Sequence, residues 1–504
     1  MAQCCLVTSI SIGVLLIVGG AILAGIDVGS KIVDEELQKQ LVLSLDSPVF
    51  SQWMNPPPPI YMQYWLFNVT NPEVVVNGGK PKVEQIGPFT YRLYQPRIDV
   101  AFFTNDTVSY KYNHTLVFER EMSVHDDDLV ITQLNAPLVT IDSLLKSVPS
   151  WAASVAAEIS VALSDSDLFV KHTVHEFLFG YEDPIFKLVH TFLHVLHIDF
   201  PPRFGFFYGF NNSDDGTYLV NTGRSDISQT NILHKFNGNK SLSYWTSEAA
   251  NMINGTDGVF MPPKINRSET LYIFNTDVCR SLYLVFEKDT NVRNVDTMRF
   301  HLPGDVFANV TTNPANAGFC VPADECLDTG VLNIGPCKQG APVVVSSPHF
   351  YLGAKKYIDA IDGISPNKEE HSTYLDLEPM TGVVFAAMKR LQLNIHLQSS
   401  KTFSQMENLN DLIFPVLWLN ESEVIDKNSA NQFKSKVVVL VRFAHGLPYI
   451  ILGVGLLVAL VTSGLIARKC TWASISCPLL NTETGFRSLA WSFFYHLFVV
   501  HIKY

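Results

Sequence analysis

LVTSISIGVLLIVGGAILAGI, Leu6–Ile26, and GLPYIILGVGLLVALVTSGLIA, Gly446–Ala467, are the two stretches whose reading decides the fold. Neither holds a charged side chain, and Arg468-Lys469 closes the second. Each is close to the roughly 20 residues that a helix needs to cross a hydrocarbon core. A helix satisfies its own backbone hydrogen bonds there, so two spanning helices follow, one near each end of the chain. Residues 27–445 then form a single tethered domain on one side of the membrane. A cleaved signal peptide is the competing reading of the first stretch. That stretch lacks a basic n-region, and its apolar run exceeds the usual h-region.

Two signals say which side the domain occupies. Asn-x-Ser/Thr acceptors stand at Asn68, Asn105, Asn113, Asn211, Asn239, Asn254, Asn266, Asn309 and Asn420, all between the spans. Glycan acceptors belong in a secretory lumen or outside the cell. The tail carries Arg468, Lys469, Arg487 and Lys503 against one acid, Glu483, which suits the cytoplasm. The expected layout is a cytosolic 1–5, a span at 6–26, a lumenal ectodomain at 27–445, a span at 446–467 and a cytosolic tail at 468–504. This is a multi-span, membrane-embedded protein with both termini cytosolic. A net charge of −12 without basic clustering argues against a nucleic-acid partner. Asn55-Pro56-Pro57-Pro58-Pro59 reads as a stiff spacer leading away from the membrane.

Of the eight cysteines, Cys279, Cys320, Cys326 and Cys337 lie in the ectodomain. In an oxidising compartment they suggest two disulfides, with three connectivities open. Zinc is the rival, weakened by the absence of any CxxC pair. Cys4, Cys5, Cys470 and Cys477 flank the spans on the cytosolic side, as free thiols or as sites of reversible acylation.

Within the ectodomain, IYMQYWLFNVT (Ile60–Thr70), VEQIGPFTYRLY (Val83–Tyr94), TLYIFN (Thr270–Asn275) and VVVSSPHFY (Val343–Tyr351) are β-branched and aromatic runs bounded by Gly, Pro and Asn. They read as strands. Asn254-Gly255 and Asp257-Gly258 are turn signals. Residues 141–197 differ: Trp151, Val155, Ile159 and Leu163 recur every fourth residue behind Ser150, which is helical periodicity. Ile185, Leu188, Val189, Phe192, Val195 and Leu196 form a second amphipathic face. The fold class is therefore α+β, a strand-rich body with a helical cap between two transmembrane helices.

FNVTNPE (Phe67–Glu73), GPFTYR (Gly87–Arg92), NMINGTDG (Asn251–Gly258), CRS (Cys279–Ser281), NAGFC (Asn316–Cys320), SPHFY (Ser347–Tyr351) and the stretch from PNKEEH to DLEPMTG (Pro366–Gly382) together resemble the class B scavenger receptor family, in its lysosomal branch. The motifs extend over nearly the whole ectodomain. The resemblance implies a β-barrel-like core, an apical helical bundle and an internal apolar tunnel that carries cholesterol or phospholipid toward the membrane. It implies the pairings Cys279–Cys337 and Cys320–Cys326. A further cysteine of other members falls where this chain has Ala250. It also implies a lysosomal hydrolase partner, β-glucocerebrosidase, docked on the first apical helix, making Trp151, Val155 and Ile159 partner-binding candidates. Trp151–Leu163 departs from that pattern, being rich in Ala and Ser. The family's acidic dileucine sorting signal has a counterpart in Leu479-Leu480, without an acid in the preceding turn. The tail then ends LAWSFFYHLFVVHIKY (Leu489–Tyr504), an interfacial segment or an alternative terminus.

His190, His194 and His197 share one stripe of the second helical segment, beside Lys187, with His172 and His175 just upstream. Histidine titrates between endosomal and neutral pH, so the stripe is a candidate pH sensor for partner binding. A solvated face is the plain alternative, and a metal site lacks a completing carboxylate. There is no GxSxG elbow, HExxH or phosphate loop, so no enzyme activity, catalytic residue, cofactor or metal is expected. The expected function is a lysosomal or endosomal receptor for hydrolase delivery that also binds and transfers lipid. A plasma-membrane scavenger receptor is the alternative, and self-association is left open.

Overall fold

The computed structural model describes residues 2–146, 161, 163, 166–195, 201–323 and 325–473. Trp151, Val155, Ile159, His197, Leu479 and Leu480 lie outside the described residues, as does the side chain of His194. The chain divides into two compact units, Met1–Glu36 with Ser435–Tyr504, and Leu37–Lys434.

In the first unit, the helix Ala2–Gly25 and the helix Val439–Ala473 hold windows long and apolar enough to span a membrane. These two are the only candidate spans among the described residues, so multi-span here means two. The helices meet at small residues. A Cβ on Gly20 would stand 2.7 Å from the backbone nitrogen of Leu452, and one on Gly455 would stand 2.7 Å from that of Ile17. Lipid offers no hydrophobic drive between helices, so close backbone approach of this kind supplies the packing. Gly453 has nothing within 4 Å, so of the two neighbouring glycines only Gly455 serves the contact.

The second unit is built on an eleven-stranded antiparallel sheet. Its path runs Thr270–Asn275, Arg280–Val292, Val295–His301, Tyr374–Leu377, Val384–Leu397, Leu412–Val424, Ile60–Val69, Val83–Tyr94 and Thr115–Phe118. Val343–Ser346 pairs onto Val384–Leu397 and carries Val331–Asn333 beside it. A four-stranded sheet follows the order Arg97–Phe102, Thr107–Tyr112, Tyr218–Asn221, Leu233–Phe236. Val130–Leu134 pairs with Phe169–Thr173. Strand alternation places Ile60, Met62, Tyr64 and Leu66 inward, each 6% exposed or less.

The barrel-like core does not materialise as a closed barrel. Thr270–Asn275 and Thr115–Phe118 end the path and do not pair with each other among the described residues. Loops cover these edges instead. Thr256 bonds to Tyr272 and Phe274 on one edge, and the Asn211 side chain accepts from the Leu116 amide on the other. Covered edges need no closure to satisfy their backbone groups.

The helical region contains Ala136–Lys146, Val174–Phe179 and Pro184–Val195. Thr173 and Glu176 form a capping box on the second of these. Asp183 Oδ1 accepts from the amides of Ile185 and Phe186, capping the third behind Pro184.

One sequon is withdrawn by the fold. Asn420 lies in the middle of Leu412–Val424, between Gln63 on one side and Arg390 on the other, and is 5% exposed. Its Nδ2 donates to Gln63 Oε1 at 3.0 Å. A glycan on that nitrogen would displace a central strand contact. Glycopeptide mapping of the expressed protein should therefore find Asn420 unmodified whatever the occupancy of the exposed sequons Asn105, Asn211, Asn239 and Asn266. A glycan at Asn420 in folded protein would show that this strand is placed wrongly.

Candidate functional site

The inward face of the main sheet changes character along its length. Leu66, Leu417 and Leu393 are aligned across three strands, followed by Tyr64, Leu419 and Leu391. The next row is Met62, Glu421 and Lys389, and the last is Ile60, Glu423 and Ala387. Leu66 and Leu417 are fully buried, whereas the Lys389 and Glu421 side chains keep 29% and 22% of their surface accessible. An apolar wall thus ends in charge. It does so at Ile60, the first residue of one strand, and near Val424, the last residue of its neighbour.

Lys389 Nζ donates to Glu421 Oε1 at 2.7 Å. Burial pulls the Lys389 ammonium down, but Glu421, with Glu423 and Asp257 behind it, reverses this and leaves its pKa raised. Glu423 has no such direct bond. Burial pushes its carboxyl up to about 7, with Lys389 only partly offsetting that and Glu421 adding to it. A raised carboxyl favours the folded state when protonated. Its contribution is full below the ordinary 4.5 and is lost as pH rises through about 7.

Asp257, from the turn Asn254–Gly258, lies against the same corner. Its Oδ2 accepts from Arg97 Nη2 at 2.8 Å, Tyr110 Oη at 2.7 Å and Tyr112 Oη at 2.6 Å. Its Oδ1 accepts from Asn231 Nδ2 at 2.7 Å and the Val259 amide at 3.1 Å. The Arg97 and Asp257 side chains are 0% and 2% exposed. Burial alone would raise Asp257, but the Arg97 charge and the donated hydrogen bonds overcome it and hold the carboxyl near 2. Arg97 also donates to the Trp53 carbonyl and to Tyr112 Oη, and its guanidinium faces the rings of Trp53, Tyr110 and Tyr112 at 4.6–4.8 Å.

A second buried cluster gathers two of the motifs. His349 of SPHFY and His371 of PNKEEH stack with ring centroids 4.5 Å apart. The amides of Ser365 and Asn367 donate to their Nδ1 atoms at 3.0 and 2.9 Å, so each ring is neutral with its proton on Nε2. His349 Nε2 and Trp418 Nε1 both donate to Gln85 Oε1 at 2.6 Å, and Trp418 stacks on Trp65 at 3.8 Å. Burial pulls His349 down to about 4, and burial with the neighbouring His349 pulls His371 down to about 3.

The upstream histidines are committed locally. His172 stacks on Tyr181 at 3.7 Å with Nδ1 3.5 Å from Glu176, and His175 Nδ1 lies 2.9 Å from Asp127. Tyr91 donates to the same Asp127 oxygen at 2.6 Å. His190 is half-buried on the helix Pro184–Val195, and its stripe partners, the His194 side chain and His197, lie outside the described residues. Disulfides join Cys279 to Cys337 and Cys320 to Cys326. Ala250 is buried in the apolar cluster that holds Cys279.

Residues 11–466 match the CD36 family. The chain belongs to that family. It is 39% identical over 470 residues to Lysosome membrane protein 2 of Rattus norvegicus, covering 93% of this chain and 96% of the relative. To the Homo sapiens protein of the same name it is 38% identical over 474 residues, at 93% and 96%. To Scavenger receptor class B member 1 of Mus musculus it is 31% identical over 461 residues, at 92% and 87%.

In this CD36-family chain, sequence reasoning missed Arg97, Asp257, Lys389, Glu423, His349 and His371. Three of these stand inside the quoted motifs, Asp257 in NMINGTDG, His349 in SPHFY and His371 in PNKEEH. Arg97 carried no local signal, because its partner lies 160 residues away.

Removing one partner of a buried pair strands the other charge, at a cost of roughly 3–5 kcal/mol. Asp257→Asn should therefore lower the melting temperature sharply and reduce export, and adding Arg97→Met should recover part of the loss. A single variant that melts with the wild type would show that the pair does not anchor this corner.

Both histidine values lie below the ordinary 6.5, so the unfolded chain takes up protons first. Stability from this pair is full above about pH 6.5 and falls as pH drops toward 4, by about 2 kcal/mol per histidine at pH 5. His371→Asn keeps an acceptor for the Asn367 amide and cannot titrate. The gap between its melting temperatures at pH 7 and pH 5 should be smaller than that of the wild type, and an unchanged gap would remove the pair from the acid response.

Proposed function

We propose that this CD36-family protein is a non-enzymatic membrane receptor of the lysosomal or endosomal system that binds and transfers lipid through its ectodomain. Hydrolase delivery is the second part of the same reading. The observation that carries the lipid role is the inward sheet face, apolar at Leu66 and Leu417 and charged at Lys389 and Glu421. A lipid has the same polarity profile, with an apolar body and a polar head. Burying each methylene contributes about 0.8 kcal/mol, so the half-buried Leu391 and Leu393 of the apolar rows supply affinity and the charged row supplies orientation. The address is supported by the identity to Lysosome membrane protein 2, 39%, against 31% to Scavenger receptor class B member 1.

A plasma-membrane scavenger receptor is the alternative, favoured by the lack of an acid before Leu479-Leu480. Hydrolase capture rests on the segment Trp151–Leu163, whose Ala- and Ser-rich composition points to weaker or different recognition. A hydrolase escort must hold its cargo at neutral pH and release it in acid, as a difference in affinity between the two states.

Photo-crosslinkable cholesterol and phosphatidylcholine, offered to the full-length protein in detergent, should label it, and Lys389→Met with Glu421→Met should reduce the phospholipid signal several-fold. Immunolocalisation of the full chain beside one ending at Arg468 should show lysosomal residence that depends on the tail. Absence of labelling by either lipid would overturn the lipid role, and residence at the cell surface would favour the alternative. Glucocerebrosidase pull-down at pH 7 and pH 5 decides the escort role separately.

A further inference from the structure

Arg280 opens the strand Arg280–Val292 directly after the disulfide-bonded Cys279 and is 4% exposed. Its guanidinium lies 3.4 Å over the Phe319 ring. Nε reaches the Ser281 carbonyl at 3.4 Å and Nη1 the Val306 carbonyl at 3.3 Å, both longer than an ordinary N–H···O bond. Among the described residues, Nη2 has no hydrogen-bond partner and no carboxylate pairs with the guanidinium. Burial lowers its pKa only to about 9, so the group stays charged at neutral and acidic pH. A buried cation without a counter-charge costs several kcal/mol, which folded proteins compensate.

Arg280 lines a cavity of about 40 Å³, bounded by Val306, Phe319, the Cys320–Cys326 disulfide and Val331. A water needs about 10–15 Å³ measured in this way, so the space admits a larger single ion. Its acidic lining residue, Glu325, is exposed and makes no ion pair with Arg280.

We propose that this cavity is a binding site for a small monovalent anion of chloride size, held by Arg280. The guanidinium supplies the positive charge and an undirected donor in Nη2. Val306, Phe319 and Val331 lower the local dielectric beside the guanidinium, which strengthens the pairing. The anion is structural: it completes the charge balance beside both disulfides.

The test uses the full-length protein in detergent, melted in sodium chloride, sodium bromide or sodium gluconate at matched ionic strength. Chloride and bromide should raise the melting temperature in a saturable way, by about 1–3 °C for a tenfold excess over Kd, and gluconate should not. Arg280→Met should abolish the halide dependence. Because that variant can fail to fold, bromide anomalous scattering from crystals of the wild type provides an independent readout, with a peak expected beside Arg280 Nη2. Identical melting in all three salts, or no anomalous peak at this position, would overturn the proposal. So would a halide-independent wild type that loses stability in Asp324→Asn or Glu325→Gln, because the counter-charge would then be a carboxylate of the chain itself.

Discussion

Asp257 is the point at which three separately coded segments are tied together. The short helix Phe50–Met54 contributes the Trp53 ring and carbonyl, the four-stranded sheet contributes Arg97, Tyr110 and Tyr112, and the turn Asn254–Gly258 contributes the carboxylate. That same turn covers the outer strand Thr270–Asn275 of the main sheet. The turn is held in place from both sides. Gly255 has φ +86°, and a Cβ there would lie 1.9 Å from the Tyr272 carbonyl oxygen, so only glycine lets the loop reach the edge. Five donated hydrogen bonds then make the buried charge pair tolerable. A carboxylate this deep is stable because every lone pair is used, and charge-assisted bonds are about twice as strong as neutral ones.

Acid acts on this domain in two opposing ways. Protonating Glu423 relieves a buried, underpaired carboxylate and favours the fold as pH falls below about 7. His349 and His371 oppose it, since their Nδ1 atoms are occupied by backbone donors and the rings resist protonation. Two histidines against one carboxyl leave acid the net loser from these groups. The disulfides offset this independently of pH. The Cys279–Cys337 bridge closes a sequence separation of 58 residues, and a bridge of this kind stabilises by about 2–4 kcal/mol, chiefly by restricting the unfolded chain. Neutral histidines in the core are thus compatible with acid where such pH-independent terms offset them.

The sequence was legible where the physics is local. Two uncharged runs of bilayer length and the β-branched, aromatic run Ile60–Thr70 each depend on neighbours a few residues apart. Closure of the sheet was not legible, because it depends on whether distant edge strands meet or are covered by loops, and the covering residues Thr256 and Asn211 carry no edge signal of their own. Asn420 failed for a related reason. Asn-Glu-Ser defines an acceptor, but its placement between Ile60–Val69 and Val384–Leu397 is a matter of strand register, which no tripeptide encodes. The charged corner was half visible: Asp257 stood in a quoted motif, while Arg97 and Glu423 became partners only through the fold.

Two buried arginines show how differently one problem is solved within the domain. Arg97 is enclosed by a carboxylate, two phenols and an indole, and its pKa is raised despite burial. Arg280 has one ring, two long carbonyl contacts and a cavity, and its pKa is lowered. A hydrophobic residue of similar volume would fill the second site without a desolvation cost, so a cation there is explained only if something offsets that cost. The Cys320–Cys326 disulfide forms part of the cavity wall, and Arg280 follows Cys279 of the other bridge directly. A positively charged space of this kind selects first by charge. Arg97 shows that the chain can place its own carboxylate against a buried guanidinium, and the described lining of the second site leaves that role to an anion from solution.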